Sequence, residues 1–430
     1  MNILFISHRI PYPPNKGDKI RSFHEIKYLS RDHNLSLAFL VDDEKDLVHI
    51  DELRNYCSSV DYDRISPLWQ RIKTVPYVMT GKPLSVPYFY SQRLQDAIDR
   101  RLGEHDIDAI ICFSAPMAEY VFRSKVTRIT NNKPRHIMDF VDVDSDKWRM
   151  YAGFSRFPLS GIYRREWRRL AEYERKIGRT FDWSVFVSEK EVELYRTLCP
   201  GARPVVIPNG VDAAFFNINK QDDGDEQRVP HILFMGAMDY FPNEDAVLYF
   251  SREVWPLVKK EMPQAKFYVI GRNPSKKVTK LSHKDKNIIV TGFVSDVRNY
   301  LKVADVFVAP LRVARGVQNK VLEAMAAGVP VVASPEAVQG LGNCNGCVKV
   351  EENNERFALS ILKLIKVPHA RHRMISDARR FIMENHYWEE ILKKWDRVLH
   401  NYNENCNLEG ERVLSHHNFG SDLKIFGHGR

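Results

Sequence analysis

Two short apolar runs, Val306–Ala309 and Val329–Ala333, flank a segment of helical spacing, and this order restricts the fold more than any other stretch of the chain. Both runs are rich in β-branched residues without polar alternation, the pattern of a strand covered on both faces. Between them, Val317 or Asn319 to Ala327 carries Val321, Leu322, Met325 and Ala326 at helical spacing, and Gly328 stands where a left-handed residue ends a helix. A strand, a loop containing Gly316 and a helix start therefore bring free N–H groups and a positive dipole end to the carboxyl edge of a parallel sheet. That is an anion site. Arg312, Arg315 and Lys320 surround the turn and Asn319 opens the helix, which points to a phosphate or diphosphate. Glu323, one turn on, is placed to accept hydrogen bonds from a diol such as a ribose. The competing reading is an ordinary βαβ unit with solvated basic residues.

The 430 residues are enough for two domains, each with its own core. No run approaches the ~20 apolar residues that cross a bilayer. The opening MNILFISHRIPYPP is broken by proline too early for a secretory signal, so a cytoplasmic protein is expected. Six scattered cysteines make no disulfide framework, and Cys344 with Cys347 is a CxxC lacking a second pair for zinc. The net charge of +9 favours an anionic partner: a nucleotide sugar, an anionic membrane surface or, on charge alone, nucleic acid, for which the chain has no motif.

Asn2–Ser7 reads as a first strand, and the loop after it, HRIPYPPNKGDKIR, enters a helix carrying Ile20, Phe23, Ile26 and Leu29. Further apolar runs at Leu35–Val41, Ile107–Phe113, His136–Phe140, Ser184–Val187 and Val205–Ile207 alternate with helix-compatible segments, which predicts a mostly parallel sheet. The aromatic, proline-rich stretch around WQRIKTVPYVMTGKPLSVPYFY is a loop or a helical hairpin that meets acceptor or membrane. Asp142 and Asp144 match a DxD pattern for a divalent metal, as do Asp61 with Asp63 and Asp106 with Asp108; a helix N-cap is the plainer reading. Ile162–Gly178 is a basic amphipathic helix, either packed on its own sheet or laid on anionic lipid at its arginine face. QDDGDEQR reads as an exposed linker ahead of a second set of strands, including Lys266–Gly271 and Ile288–Thr291. Phe357–Ile365 and Arg371–Glu384 follow as helices.

KVLEAMAAGVPVVAS resembles the donor-binding segment of glycosyltransferase family 4, whose members share the GT-B fold and retain anomeric configuration. IPNGVD over Ile207–Asp212 is similar to that family's interdomain signature, and GFVSDVRNYLKVADVFVAP to its base-binding segment. The resemblance implies an α/β chain of two Rossmann-like domains facing across a cleft. Residues 1–208 would bind acceptor and 209–385 donor, with a helix at 386–400 returning to the first domain and a mobile tail at 401–430. It places Glu323 on the ribose, the backbone beside Phe293 and Val294 on the nucleobase, Gly236 at the tight turn after a strand, and Gly17, Asp18 and Arg21 in the cleft.

Three departures from the family pattern matter. Arg315 holds the position of the family's first glutamate. Ala237 and Asn243 replace an arginine and a lysine that clamp the diphosphate, leaving Arg312, Arg315, Lys320 and Arg272 to compensate; Arg315 helped by Lys320 is the expected substitute, unless Arg315 faces solvent. No histidine lies between Phe140 and Trp148, so Asp142 is the candidate catalytic group. RIPYPPNKGDKIR, DFVDVDSDKW, GAMDYFPN and GVQNKVLEAMA together look like the PEP-CTERM/exosortase-associated exopolysaccharide subgroup. That subgroup implies transfer from a nucleotide-diphosphate sugar to a lipid-linked glycan at the inner face of the membrane, with no cofactor and no metal. An epimerase or hydrolase on the same fold, or a degenerate transferase serving as a binding subunit, are the alternatives.

Overall fold

The computed structural model describes residues 1–126, 133–218 and 228–400. Met1–Leu392 forms one compact unit built on two sheets. The first contains β1 (Asn2–Ser7), β2 (Asn34–Val41), β3 (Ser59–Arg64), β4 (Ala109–Phe113), β5 (Arg135–Val141), β6 (Trp183–Phe186) and β7 (Pro204–Val206), in the order β3-β2-β1-β4-β5-β6-β7. The second contains β8 (His231–Met235), β9 (Lys266–Ile270), β10 (Ile288–Gly292), β11 (Val306–Ala309), β12 (Val331–Ala333) and β13 (Lys349–Val350), in the order β10-β9-β8-β11-β12-β13. Every pairing between these strands is parallel.

Parallel strands need crossover helices, which cover both faces of the sheet and bury the central strands completely. All five residues of β4 and all four of β11 are buried accordingly. Each sheet reverses its winding at one place, between β1 and β4 in the first and between β8 and β11 in the second. Crevices for ligands open at such switch points, outside the carboxyl ends of the strands. The α/β GT-B class expected from the sequence is the fold observed.

Several expectations are corrected. β3 was not foreseen, because SVDYDR alternates with charged residues and pairs only along one edge, against β2. The strand expected at Val329–Ala333 begins at Val331. Of the loop and helical readings of the proline-rich stretch, the helical one is nearer: it holds a helix at Pro67–Thr74, a 3-10 turn at Val75–Met79 and a short helix at Ser85–Tyr88. The expected helix at 386–400 is two pieces, Trp388–Leu392 and Lys394–His400. The first packs on the Gly17–Leu29 helix, where Glu389 pairs with Arg31 and Trp388 stacks on His24 at 4.7 Å between ring centroids. The QDDGDEQR linker, but for Arg228, and the tail expected to be mobile lie outside the described residues. The five described cysteines are free thiols and buried.

Arg21 is the largest correction. It was expected in the cleft, yet it is only 1% exposed, on the inner face of the Gly17–Leu29 helix. Its guanidinium donates to Asp139 at 2.8 Å, to the Ile207 carbonyl at 2.8 Å and to Asn209 Oδ1 at 3.1 Å, and pairs with Glu25 at 3.1 Å. Asp139 and Glu25 are fully buried, and this one cation pairs with both carboxylates. The arginine thus ties the first helix to the end of β5 and to the 207–209 passage. Arg21→Met should lower the unfolding free energy by about 3–5 kcal/mol in guanidinium titration. A loss below about 1 kcal/mol would mean that the two carboxylates find other partners.

Candidate active site

The turn after β11 is held by side chains reaching its backbone. Gln339 Nε2 donates to the Ala314 carbonyl at 2.6 Å, Gln318 Nε2 to the Arg315 carbonyl at 2.8 Å, and Ser334 Oγ to the Leu311 carbonyl at 2.5 Å. Gly316 takes φ +59°, and a Cβ there would lie 2.3 Å from Asp142 Oδ1. Only glycine permits both the left-handed turn and the approach of the carboxylate. The helix Asn319–Ala326 follows with no side-chain cap at Gln318. Its first N–H groups thus point toward the switch point, as an anion site requires.

Asp142 enters from the first sheet. β5 ends at Val141, a β-branched residue at φ +69°, and the Asp142 N–H turns back to the Phe140 carbonyl at 2.9 Å. This tight left-handed turn is costly for valine. The following N–H groups open the helix Asp144–Phe154, where buried carboxylates receive them: Val143 N–H donates to Glu191 Oε2 at 2.8 Å and Ser145 N–H to Glu174 Oε1 at 3.0 Å. Negative groups at a helix start are favourable. Asp142 is therefore not the cap; Val143 occupies that place. Asp142 Oδ1 is buried without a hydrogen-bond partner among the described residues. Burial, then Asp144, raises the Asp142 carboxyl to about 6, against the opposing pull of Lys147, Arg315 and Arg21.

Arg315 resolves the question left by the sequence in neither expected way. It faces neither solvent nor the anion site. Its guanidinium pairs with Asp146 and, at 3.0 Å, with Glu191, both on the first sheet's side of the cleft. A cavity of about 290 Å³ opens beside this junction, lined by Asp146, Glu191, Lys190, Arg315, Gly316 and Gly340. Arg312 is also withdrawn: it forks onto Asp245 and lies over the Tyr249 ring on the second sheet's flank. The sequence-predicted cluster of three cations is thus dispersed, with Lys320 left in place.

Lys320 donates to Asn243 Oδ1, so its ammonium stands beside a position where the family pattern has lysine. Burial lowers it to about 8, with Glu323 opposing; Glu323 is raised to about 7 by burial, with Lys320 opposing. Among the described residues the Glu323 carboxylate accepts no hydrogen bond, whereas Asn319 Oδ1 accepts from Asn209 Nδ2 at 3.1 Å. Gly236 ends β8, where a Cβ would lie 2.7 Å from the Asn243 amide. Arg272 follows β9; burial and then Arg9 lower the Lys16 ammonium, and the Arg272 charge adds to them. Phe293 and Val294 follow β10, with the Phe293 ring 73% exposed. Gly17 lies against Asn319, a Cβ there falling 3.7 Å from Asn319 Nδ2. Asp18 turns to Arg9 and His8; burial alone would raise it, but the His8 hydrogen bond and the Arg9 charge hold it well below the usual range.

Sequence reasoning missed Lys16, Lys147, Asp146 and Glu191. Burial would lower Lys147, but Asp144, Tyr151, Asp142 and Asp18 hold its proton. Its place one turn after Asp144 was a usable signal. Glu191 lies in the helix Glu189–Leu198, remote in sequence from the loop that it meets, and nothing local marks it. Among the described residues no cluster of three or more His, Cys, Asp or Glu side chains is arranged around a metal position.

Residues 229–367 match the family model described as "Glycosyl transferases group 1". Over 417 residues the chain is 23% identical to an "uncharacterized 44.6 kDa protein in cps region" of Klebsiella pneumoniae, covering 91% of this chain and 97% of that protein. Among solved structures, sucrose-phosphate synthase from Thermosynechococcus elongatus superposes with a TM-score of 0.69 at 15% identity, covering 93% of this chain and 98% of the other. Anabaena HepE in complex with UDP gives 0.66 at 13% identity, covering 94% and 100%. These likenesses establish the fold. The likeness to the glycosyl transferases group 1 model thus lies over the second sheet of a chain of GT-B architecture.

Proposed function

We propose that the chain is a retaining, metal-independent glycosyltransferase of hexosyl type, moving a sugar from a nucleoside-diphosphate donor to a hydroxyl of a lipid-linked glycan. The observation that carries this reading is the apposition of Asp142 to Gly316, which puts a carboxylate whose Oδ1 has no hydrogen-bond partner among the described residues beside the start of the Asn319–Ala326 helix. Surface-polysaccharide assembly is supported by the relative from a cps region and by the resemblance to the exopolysaccharide subgroup. The protein would work in the cytoplasm, at the inner face of the membrane.

In this reading Glu323 accepts the ribose hydroxyls, the backbone at Phe293 and Val294 meets the base, and Gly236 lets the diphosphate approach the sheet edge. Lys320 supplies the positive charge that Asn243 lacks, with Arg272 and Lys16 nearby. Their fixed charges and the helix-start N–H groups stabilise the diphosphate as the anomeric C–O bond breaks. The acceptor oxygen forms the new glycosidic bond and its proton passes to Asp142. Arg315 holds the two halves together across the site and leaves the diphosphate to Lys320.

The direct test is transfer by purified protein across nucleotide sugars, beginning with UDP-glucose, since Anabaena HepE is solved with it. Turnover should persist in EDTA; its full loss, restored by manganese, would return the Asp142–Asp144 pair to the metal reading. Retained nucleotide binding without any turnover would leave a binding subunit.

Lys320→Ala should weaken a nucleoside diphosphate more than the monophosphate, by about 1.5–3 kcal/mol in calorimetry, and Arg312→Ala should change neither. Equal effects of the two substitutions would remove Lys320 from the diphosphate. Glu323→Gln should weaken both nucleotides alike, because they share the ribose.

Activity should also rise with pH through about 6, the value to which burial and Asp144 lift Asp142, since only the ionised carboxylate takes a proton. Asp142→Asn should be nearly inactive and its residual rate should lose that limb; an unchanged profile would give the limb to another group. Because the folded-state value lies above the ordinary aspartate value of 3.8, this group removes stability as pH rises from 3.8 to about 6, so activity and stability move in opposite directions there.

A further inference from the structure

The helix Pro67–Thr74 is arranged inside out. Its one buried residue is Gln70, whereas Leu68 is 67% and Trp69 69% exposed, and Ile72 is exposed on the same face. Val75 continues that stripe one turn on, and Met79, at the end of the following turn, is 92% exposed. A second apolar group stands at the start of the helix Leu159–Thr180, where Phe157 is 87% exposed and Leu159 and Ile162 also face outward. Further along, the same helix behaves normally and buries Leu170, Tyr173 and Ile177.

The two groups are neighbours. Arg165, one turn beyond Ile162, donates to the carbonyls of Tyr77, Val78, Thr80 and Lys82, at 2.6, 2.7, 2.5 and 3.0 Å respectively. Glu166 accepts from the N–H groups of Leu84 and Ser85 at 2.7 and 3.0 Å. One arginine and one glutamate therefore fix the turn after the first helix onto the second. Single exposed apolar residues are ordinary, but a contiguous set with two aromatic rings is not.

Charge indicates what covers it. Residues 67–83 contain Arg71, Lys73 and Lys82 and no acid; residues 153–169 contain Arg156, Arg164, Arg165, Arg168 and Arg169 with Glu166 as the one acid, and that acid is buried. Aromatic and aliphatic side chains rimmed by arginine and lysine suit the boundary between headgroups and acyl chains, where the rings enter and the cations meet anionic phosphates. Among the described residues no helix is long and apolar enough to cross a bilayer, so contact would be along the surface.

We infer that the Pro67–Met79 segment and the first turns of the Leu159–Thr180 helix form one surface that docks the chain on an anionic phospholipid bilayer. That this bilayer carries the acceptor rests on the transferase reading above; the docking does not. The same helix leads back through Tyr163 and Trp148 to the Asp144–Phe154 helix, so docking here fixes how Asp142 faces the lipid.

Sedimentation of the full chain with vesicles tests the assignment. Phosphatidylcholine mixed with phosphatidylglycerol should bring the protein down, phosphatidylcholine alone should not, and added salt should weaken the association. Trp69→Ser with Met79→Ser, and separately Phe157→Ser, should each reduce binding by about tenfold or more, as should Arg164→Glu with Arg168→Glu, while nucleotide affinity stays unchanged. Equal binding to both vesicle types, or indifference to all three variants, would overturn the surface. So would loss of self-association on Trp69→Ser with no change in vesicle binding, which would assign the face to a second copy. Transfer to a water-soluble acceptor without vesicle binding sinks the docking alone; vesicle binding without transfer or nucleotide affinity sinks the transferase reading alone.

Discussion

The buried contact of Arg315 with Asp146 and Glu191 is the interaction on which the site depends. It joins the loop after β11 to two helices of the first sheet, and it sets Gly316 against Asp142. An arginine suits the place because its planar fork serves two carboxylates at once and keeps its charge when buried. Glu191 itself and two acids close by, Asp142 and Glu174, are pushed upward by burial. Arg315 opposes that rise at Asp142. Without it the loop would have no charge to hold it, and Asp142 would lose an opposing cation.

Much of the fold was legible. Buried parallel strands are plain in a sequence because both faces must be apolar, and β1, β4, β5 and β11 were all read from such runs. β3 and the two-residue β13 were not, since edge strands tolerate charge and short ones carry no period. The helix after β11 was legible for the same reason as its strands, with Gly328 at φ +69° closing it. The candidate site was less legible. Glycines at turns and the Glu323 position follow from local spacing. The partners of Arg21, Arg312 and Arg315 do not, because Asp139, Asp245, Asp146 and Glu191 are far along the chain and a charged side chain gives no sign of which way it points. A cation near a phosphate loop looks the same in sequence whether it waits for a ligand or is already neutralised.

The structure also shows how one charge can replace another without occupying the same position. Lys320 reaches Asn243 from the helix behind it. A clamp read by position alone would be judged absent, whereas in space an ammonium stands beside the missing one. Burial brings the two titrations close together, Lys320 down to about 8 and Glu323 up to about 7, while each charge opposes the shift of the other, so both are sensitive to what enters between them.

The passage between the halves has a further consequence. The chain crosses at 207–212, and it comes back alongside itself at 386–388: Val211 N–H donates to the His386 carbonyl at 2.8 Å, the His386 ring meets the Asn209 carbonyl at 2.8 Å, and Gly210 leaves room for the Trp388 indole, which a Cβ would approach to 2.5 Å. Two crossings stitched together in this way behave as a single pivot. A lone linker would let one half swivel freely over the other, but a doubled one permits bending about one axis and resists twisting. Any opening of the cleft is then steered: the loop carrying Gly316 can leave Asp142 and return to it only along one arc, so the alignment of the two halves is written into the seam that connects them.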